Sequence, residues 1–342
     1  MRSWPICLPS HCVTLCGDRE NVPQLISASG GQGDMIQEFM NVSKLSNDLL
    51  LDGFTLMLVG HIAFGRNQLV PIGKIHYFFH WLYGKYEPKI LKLVDWFLHK
   101  KFFTDTVIGR KIFVGIAITG HYLPHGIVVT TQSATNLFRY IDSLKSQENA
   151  PRLAVGPCVC QMALNRWQEP SCKDIVVLYG ADIYLSLNLG YKIIDVDEAV
   201  VILEQCRDAG LVHSLDFCMQ SGKWHFVVCN CDREICVLMR TYAVSGKMVY
   251  PGPHIVRQFP EQCIGPEKCG KCLQICMFKA NSILNGEINV DYKKCLGCGQ
   301  CVRVCQGKAR AMVKRPSFAH DHVIPAQVLL KDMSIGNEEQ AG

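Results

Sequence analysis

Eight cysteines between positions 263 and 305 constrain this chain more than any other feature. They read Cys263-Ile-Gly-Pro-Glu-Lys-Cys269-Gly-Lys-Cys272-Leu-Gln-Ile-Cys276 and, after eighteen residues, Cys295-Leu-Gly-Cys298-Gly-Gln-Cys301-Val-Arg-Val-Cys305. The second run is C-x2-C-x2-C-x3-C, and the first is the same run with its opening gap lengthened from two residues to five. Such short gaps wrap three thiolates in one loop, with backbone N–H groups free to point at whatever the thiolates hold. Gly270, Gly297 and Gly299 suit that close approach, because it favours residues without a Cβ.

Thiolates in this pattern point to iron, which favours sulfur and, in a cubane cluster, needs one ligand at each corner. Zinc also accepts four thiolates, but its sites are usually built from C-x2–4-C pairs set apart in the chain. A zinc-binding interaction protein is therefore the lesser reading.

Residues from about 255 to 315 resemble a bacterial-type dicluster ferredoxin domain, in which the fourth cysteine of each run ligates the other cluster. The resemblance implies one [4Fe–4S] cluster on Cys263, Cys269, Cys272 and Cys305, and another on Cys295, Cys298, Cys301 and Cys276. The chain departs from the family in the five-residue gap after Cys263. It also has Met277 and Gln306 where a proline usually follows the fourth cysteine.

A second group of cysteines lies upstream. Arg152–Val155 and Trp224–Val228 read as short strands, leading into Cys158-Val-Cys160 and Cys229-Asn-Cys231. In a strand the middle residue of Cys-x-Cys points away, so both thiols can face one side. With Cys172, which precedes a strand at Asp174–Tyr179, and Cys236, they make six candidates for a third four-ligand metal centre. This Cys-rich region followed by a dicluster module resembles little-characterised iron–sulfur redox proteins. Cys206 and Cys218 read as core or free thiols, and His213 as a structural histidine. Cys7, Cys12 and Cys16 are a further, incomplete set.

The rest of the pattern places these groups in an α+β, multidomain chain. A segment of little regular structure (1–47) precedes a mixed α/β domain of unassigned role (48–150). The Cys-rich α/β unit (151–245), the dicluster ferredoxin-like domain (246–318) and a tail (319–342) follow. Pro88 to His99 predicts a helix, Ile112–Thr119 and Ile127–Thr131 predict strands, and Ser133–Leu144 a helix. Asp195-Val-Asp-Glu198 is a capping box opening a helix that Gly210 stops. Gly120–Gly126 is a loop holding His121 and His125, a candidate ligand pair.

Nineteen cysteines in 342 residues, gathered in metal-ligand spacings, point to a reducing compartment rather than a secreted disulfide scaffold. No apolar core of signal-peptide length precedes Asp18, so the expectation is a cytoplasmic protein. The run 49–65 is short for a membrane span and contains Asp52 and His61, which leaves peripheral membrane contact as the open membrane reading. Gly30-Gly-Gln-Gly33 follows no strand and lacks Lys-Ser/Thr, so no nucleotide or flavin site is expected.

From Cys263 to Arg315 ten lysines and arginines stand against three carboxylates. That sign would steer an acidic redox partner of flavodoxin or ferredoxin type. The basic residues are not interleaved with aromatics, which argues against nucleic acid. The functional expectation is a protein or redox-complex subunit relaying single electrons through two clusters, with a possible third centre in 151–245. The alternative is an oxidoreductase whose upstream cysteines and loop histidines form a catalytic metal site fed by the ferredoxin domain.

Overall fold

The computed structural model describes residues 74–119, 124–143, 153–218, 223–319, 324 and 326–331. His121, Cys7, Cys12, Cys16 and the run 49–65 lie outside them.

A seven-stranded sheet forms the centre. Its strands are β1 (Pro124–Val129), β2 (Leu153–Pro157), β3 (Cys172–Val177), β4 (Lys192–Ile194), β5 (Val212–Cys218), β6 (Lys223–Cys231) and β7 (Val249–Tyr250). They lie in the order β4-β2-β3-β6-β5-β1-β7. Every pairing is antiparallel except that of β1 with the short edge strand β7. The expected boundary at 150/151 therefore falls within one sheet.

Alternation along the strands sends apolar side chains to both faces. Ile127, Val129, Val155, Ile175, Val177 and Val228 pack on one face with Leu137, Phe138, Ile202 and Leu203. The latter come from the helices Thr131–Ser143 and Val196–Asp208. The second begins with the expected capping box, Asp195 accepting from the Glu198 N–H at 2.8 Å. Gly210 follows its end at φ +84°. The opposite face buries Ala154, Val176 and Val227 under Ile183, Tyr184, Tyr77 and Trp81.

Two expectations are corrected here. The helix foreseen from Pro88 begins much earlier, at Lys74, and runs through the proline to His99. Tyr77, Trp81 and Leu91 all pack against the second sheet face, so tertiary burial sustains the helix across the lost hydrogen bond. Ile112–Thr119, expected as a strand, belongs to the helix Val107–Thr119. Phe113 and Ala117, four residues apart, are both buried, a helical period that β-branched composition concealed.

The C-terminal module is built on strands β8 (His254–Gln258) and β11 (Arg310–Lys314), paired antiparallel, and the hairpin β9 (Asn281–Leu284) and β10 (Glu287–Val290). It is fastened to the sheet layer by buried Gln300, whose Nε2 donates to the Leu211 and Arg207 carbonyls at 2.6 and 3.2 Å. No helix among the described residues is long and apolar enough to cross a membrane.

Candidate iron–sulfur sites

The two cysteine runs fold as near-copies. Gly270 and Gly299 stand in the left-handed region at φ +60° and +80°, each directly before a short helix, Lys271–Ile275 and Gln300–Arg303. Three residues beyond each fourth cysteine, Lys279 and Lys308 also take positive φ, at 51° and 52°. Their N–H groups donate to the carbonyls of Cys276 and Cys305, at 3.2 and 3.3 Å. These left-handed lysines close the turns that lack the family's proline.

The folding brings the fourth cysteines across. Cys263, Cys269, Cys272 and Cys305 line one pocket, and Cys276, Cys295, Cys298 and Cys301 line another. Among the described residues, no group of His, Cys, Asp or Glu is arranged to hold a single metal ion. The thiols ring two open volumes, an arrangement suited to a group of several atoms.

The surroundings fit an iron–sulfur cluster. The Ala280 N–H donates to Cys276 Sγ at 3.2 Å, a backbone-to-sulfur bond of the kind that tunes such centres. Gly297, at φ +87°, lets the loop approach strand β8, because a Cβ there would fall 2.2 Å from the His254 carbonyl oxygen. Burial raises the thiol pKa of Cys298, and that of Cys301 to about 11. A group that takes the thiolates must therefore supply positive charge.

Arg310 was visible in the sequence only as one basic residue among ten. It is 6% exposed, lines the first cavity and hydrogen-bonds Cys301 of the second. Asn281 Oδ1 accepts from its Nη1 at 2.9 Å. Its guanidinium thus stands between the two pockets. Arg315 is likewise structural, donating to the carbonyls of Gly252, His254 and Cys295. Eight of the ten basic residues, among them Lys268, Lys271 and Lys308, remain exposed.

The upstream cysteines gather as well, with one exception. Cys229 and Cys231 lie on β6, and Cys236 precedes the helix Val237–Ser245. Cys158 and Cys160 follow the strand β2, as expected, and stand at the start of the short helix Val159–Leu164. Side-chain hydrogen bonds join Cys158 to Cys160, Cys160 to Cys236, Cys236 to Cys231, and Cys231 to Cys229. Cys172 stands outside this chain of thiols because it is disulfide-bonded, a correction to its place among the six candidates.

Charge in this group is unevenly held. The Cys236 thiol is pushed well below its ordinary pKa by hydrogen bonds from Cys160 and Cys231, with the Leu238 and Met239 N–H groups adding to them. Asp216 lies 3.5 Å from Cys229, and burial raises its carboxyl pKa to about 8. Burial likewise raises Asp174 to about 7, although its Oδ2 accepts from the Val159 N–H at 2.9 Å. The Nζ of fully buried Lys173 and the other oxygen of Asp174 have no hydrogen-bond partner. Such orphaned polar atoms beside a nest of thiols fit a site that holds a further charged group.

His213 is structural, as expected. Its ring bonds Asn230 and Thr131 at 2.5 and 2.9 Å, and burial lowers its pKa to about 4. Cys206 is a fully buried core thiol. His125 lies in β1 opposite Phe217, and its side chain, like that of Cys218, is outside those described.

The thiol group and the second pocket share one apolar core. Cys231, Cys236, Met239 and Leu296 are buried together, with Cys160, Cys229, Met277, Phe278 and Cys298 packed against them. Arg233, in the loop between Cys231 and Cys236, donates to the Cys276 carbonyl at 2.9 Å. Comparison with known proteins adds one match and two negatives. No curated protein and no solved structure matches the chain. Residues 288–310, which contain Cys295, Cys298, Cys301 and Cys305, match the family model of the 4Fe-4S binding domain, a match that supports an iron–sulfur domain of ferredoxin type with at least one such cluster.

Proposed function

We propose that this chain relays single electrons through two [4Fe–4S] clusters and on to a third centre upstream. One cluster would be held by Cys263, Cys269, Cys272 and Cys305, the other by Cys276, Cys295, Cys298 and Cys301. The third would draw its ligands from Cys158, Cys160, Cys229, Cys231 and Cys236. The observation that supports this reading best is the apolar core shared by Cys298 of the second pocket and four of those thiols. Packed protein with no intervening solvent is a suitable medium between redox centres.

The third centre has electrostatic support too. Four thiolates around iron leave a net negative charge, and the buried, unpartnered ammonium of Lys173 offsets it. Electrons would enter or leave at the first pocket, whose rim carries exposed Lys268 and Lys271. An acidic partner of flavodoxin or ferredoxin type suits that surface.

A second reading, a reductase with its substrate site at the upstream thiols, is favoured by Asp216 and Asp174. Both are buried carboxyls with pKa values raised toward neutrality, able to supply protons beside a redox centre. Turnover of a small reducible substrate that stops in Asp216→Asn, with electron uptake intact, would favour this reading. For the relay itself, protein purified without oxygen should be brown, with iron and acid-labile sulfide each near eight or more atoms per chain. Zinc without sulfide would sink it.

A further inference from the structure

The helices that cover the upstream thiols have an outer face that the relay does not use. The helix Lys74–His99, which packs on the sheet, is followed by Lys101–Asp105 and then Val107–Thr119, which pack against it and the helix Val237–Ser245. Their inner side is ordinary core, with Leu98, Phe113 and Val237 buried alongside Phe97, Phe103 and Cys160. On their outer side, within twenty residues, stand Leu93, Trp96, Phe102, Val107, Ile108 and Ile112, between 46% and 72% exposed.

Two of these residues, Trp96 and Phe102, are joined through rings of the inner core. Trp96, Phe97, Phe103 and Phe102 form a chain of edge-to-face rings with centroids 5.0–5.1 Å apart. The second and third helices meet tightly, since a Cβ on Gly109 would lie 1.8 Å from the Phe102 carbonyl oxygen. On Val107–Thr119, positions 108 and 112 are one turn apart on the outer face, while Phe113 and Ala117 turn inward.

The border of the patch is cationic. Lys89, Lys92, Lys100, Lys101, Arg110 and Lys111 are all exposed around it. The carboxylates do not balance them: Glu87 is bonded by Tyr184 and Asp95 by Arg240, leaving Asp105 as the exposed acid. The Lys100 ammonium lies 4.8 Å from the centre of the Trp96 ring, an apolar body with a charged tip. Aromatic and aliphatic side chains at the centre, with lysines able to extend outward, are the composition of a surface that rests in a bilayer interface. The helices are too short or too polar to cross.

We infer that this outer helical face docks on an anionic lipid surface, its apolar side chains entering the headgroup boundary and its lysines and arginine meeting lipid phosphates. The inference stands apart from the cluster assignments and does not depend on them.

The test uses the full chain and vesicles of phosphatidylcholine, alone or mixed with phosphatidylglycerol. The protein should sediment with the mixed vesicles and stay in solution with phosphatidylcholine alone, and added salt should release it. Ile108→Asp combined with Ile112→Asp should weaken binding about ten-fold, by removing the apolar contact. Lys100→Glu combined with Lys101→Glu, on exposed side chains, should weaken it by about ten-fold or more. Val201→Asp, at an exposed apolar residue on another helix, should change nothing; circular dichroism would verify that each variant is folded. Wild-type protein remaining in solution with both vesicle types would overturn the inference, as would unchanged binding of both double variants. So would self-association in size-exclusion chromatography that the Ile108/Ile112 pair abolishes, since a second copy of the chain would then be the occupant.

Discussion

The two cysteine assemblies of this molecule are made in opposite ways. In the ferredoxin module the thiols arrive on two short loops, three from one loop and one from the other, with glycines and left-handed lysines shaping each turn. Upstream, five thiols come from three separate segments, the start of one helix, strand β6 and the start of another helix. The first assembly is fixed by local spacing, whereas the second exists only when the sheet is formed. Ligand loss in the module should therefore be local, and damage to the sheet should reach the upstream group first.

The largest effect expected is from Cys298→Ser. This variant should lose the second pocket's iron, about four atoms per chain, and interrupt electron passage between the first pocket and the upstream group. Iron analysis with reduction kinetics would check it. Unchanged transfer would mean that the two assemblies are not in series.

Gly297→Ala comes next. It places a methyl 2.2 Å from a backbone oxygen at φ +87°, and should cost about 3 kcal/mol or prevent cluster retention. Gly270→Ala, at φ +60° with its nearest neighbour at 3.1 Å, should cost only about 1–2 kcal/mol. Denaturant midpoints of the two variants would sharpen how tightly each loop is packed within the module.

Arg310→Met should lower the potentials of both pockets together, by on the order of 100 mV, since one buried positive charge serves both. Redox titration would check this, and the upstream centre should shift less. The smallest effect concerns the entry surface. Lys268→Glu with Lys271→Glu should slow reduction by an acidic carrier about ten-fold at low salt, with the difference fading as salt rises.

Much of this difference was legible in the residues themselves. The crossing of Cys276 and Cys305 was implied by the family resemblance, and each lines the pocket of the other run. The capping box at Asp195 and the stop at Gly210 were equally local, and both are present. Arg310 was hidden because its role depends on the pairing of its strand β11 with β8, which sets it between two pockets, not on its immediate sequence. Val107–Thr119 was misread because β-branched residues dominate a helix whose stability comes from burial of Phe113 against Val237. Cys172 could not be separated from the other upstream cysteines, since sequence spacing contains no information on which thiols are joined in a disulfide.

The most direct test of the relay is iron and sulfide content, with electron paramagnetic resonance of the reduced protein, in wild type and in Cys160→Ala/Cys236→Ala. Wild type should hold about twelve iron atoms per chain, and the double variant about eight, with the ferredoxin-module signals preserved and one distinct centre lost. Equal iron near eight in both, with identical spectra, would mean that the upstream thiols hold no cluster and that the relay ends in the ferredoxin module.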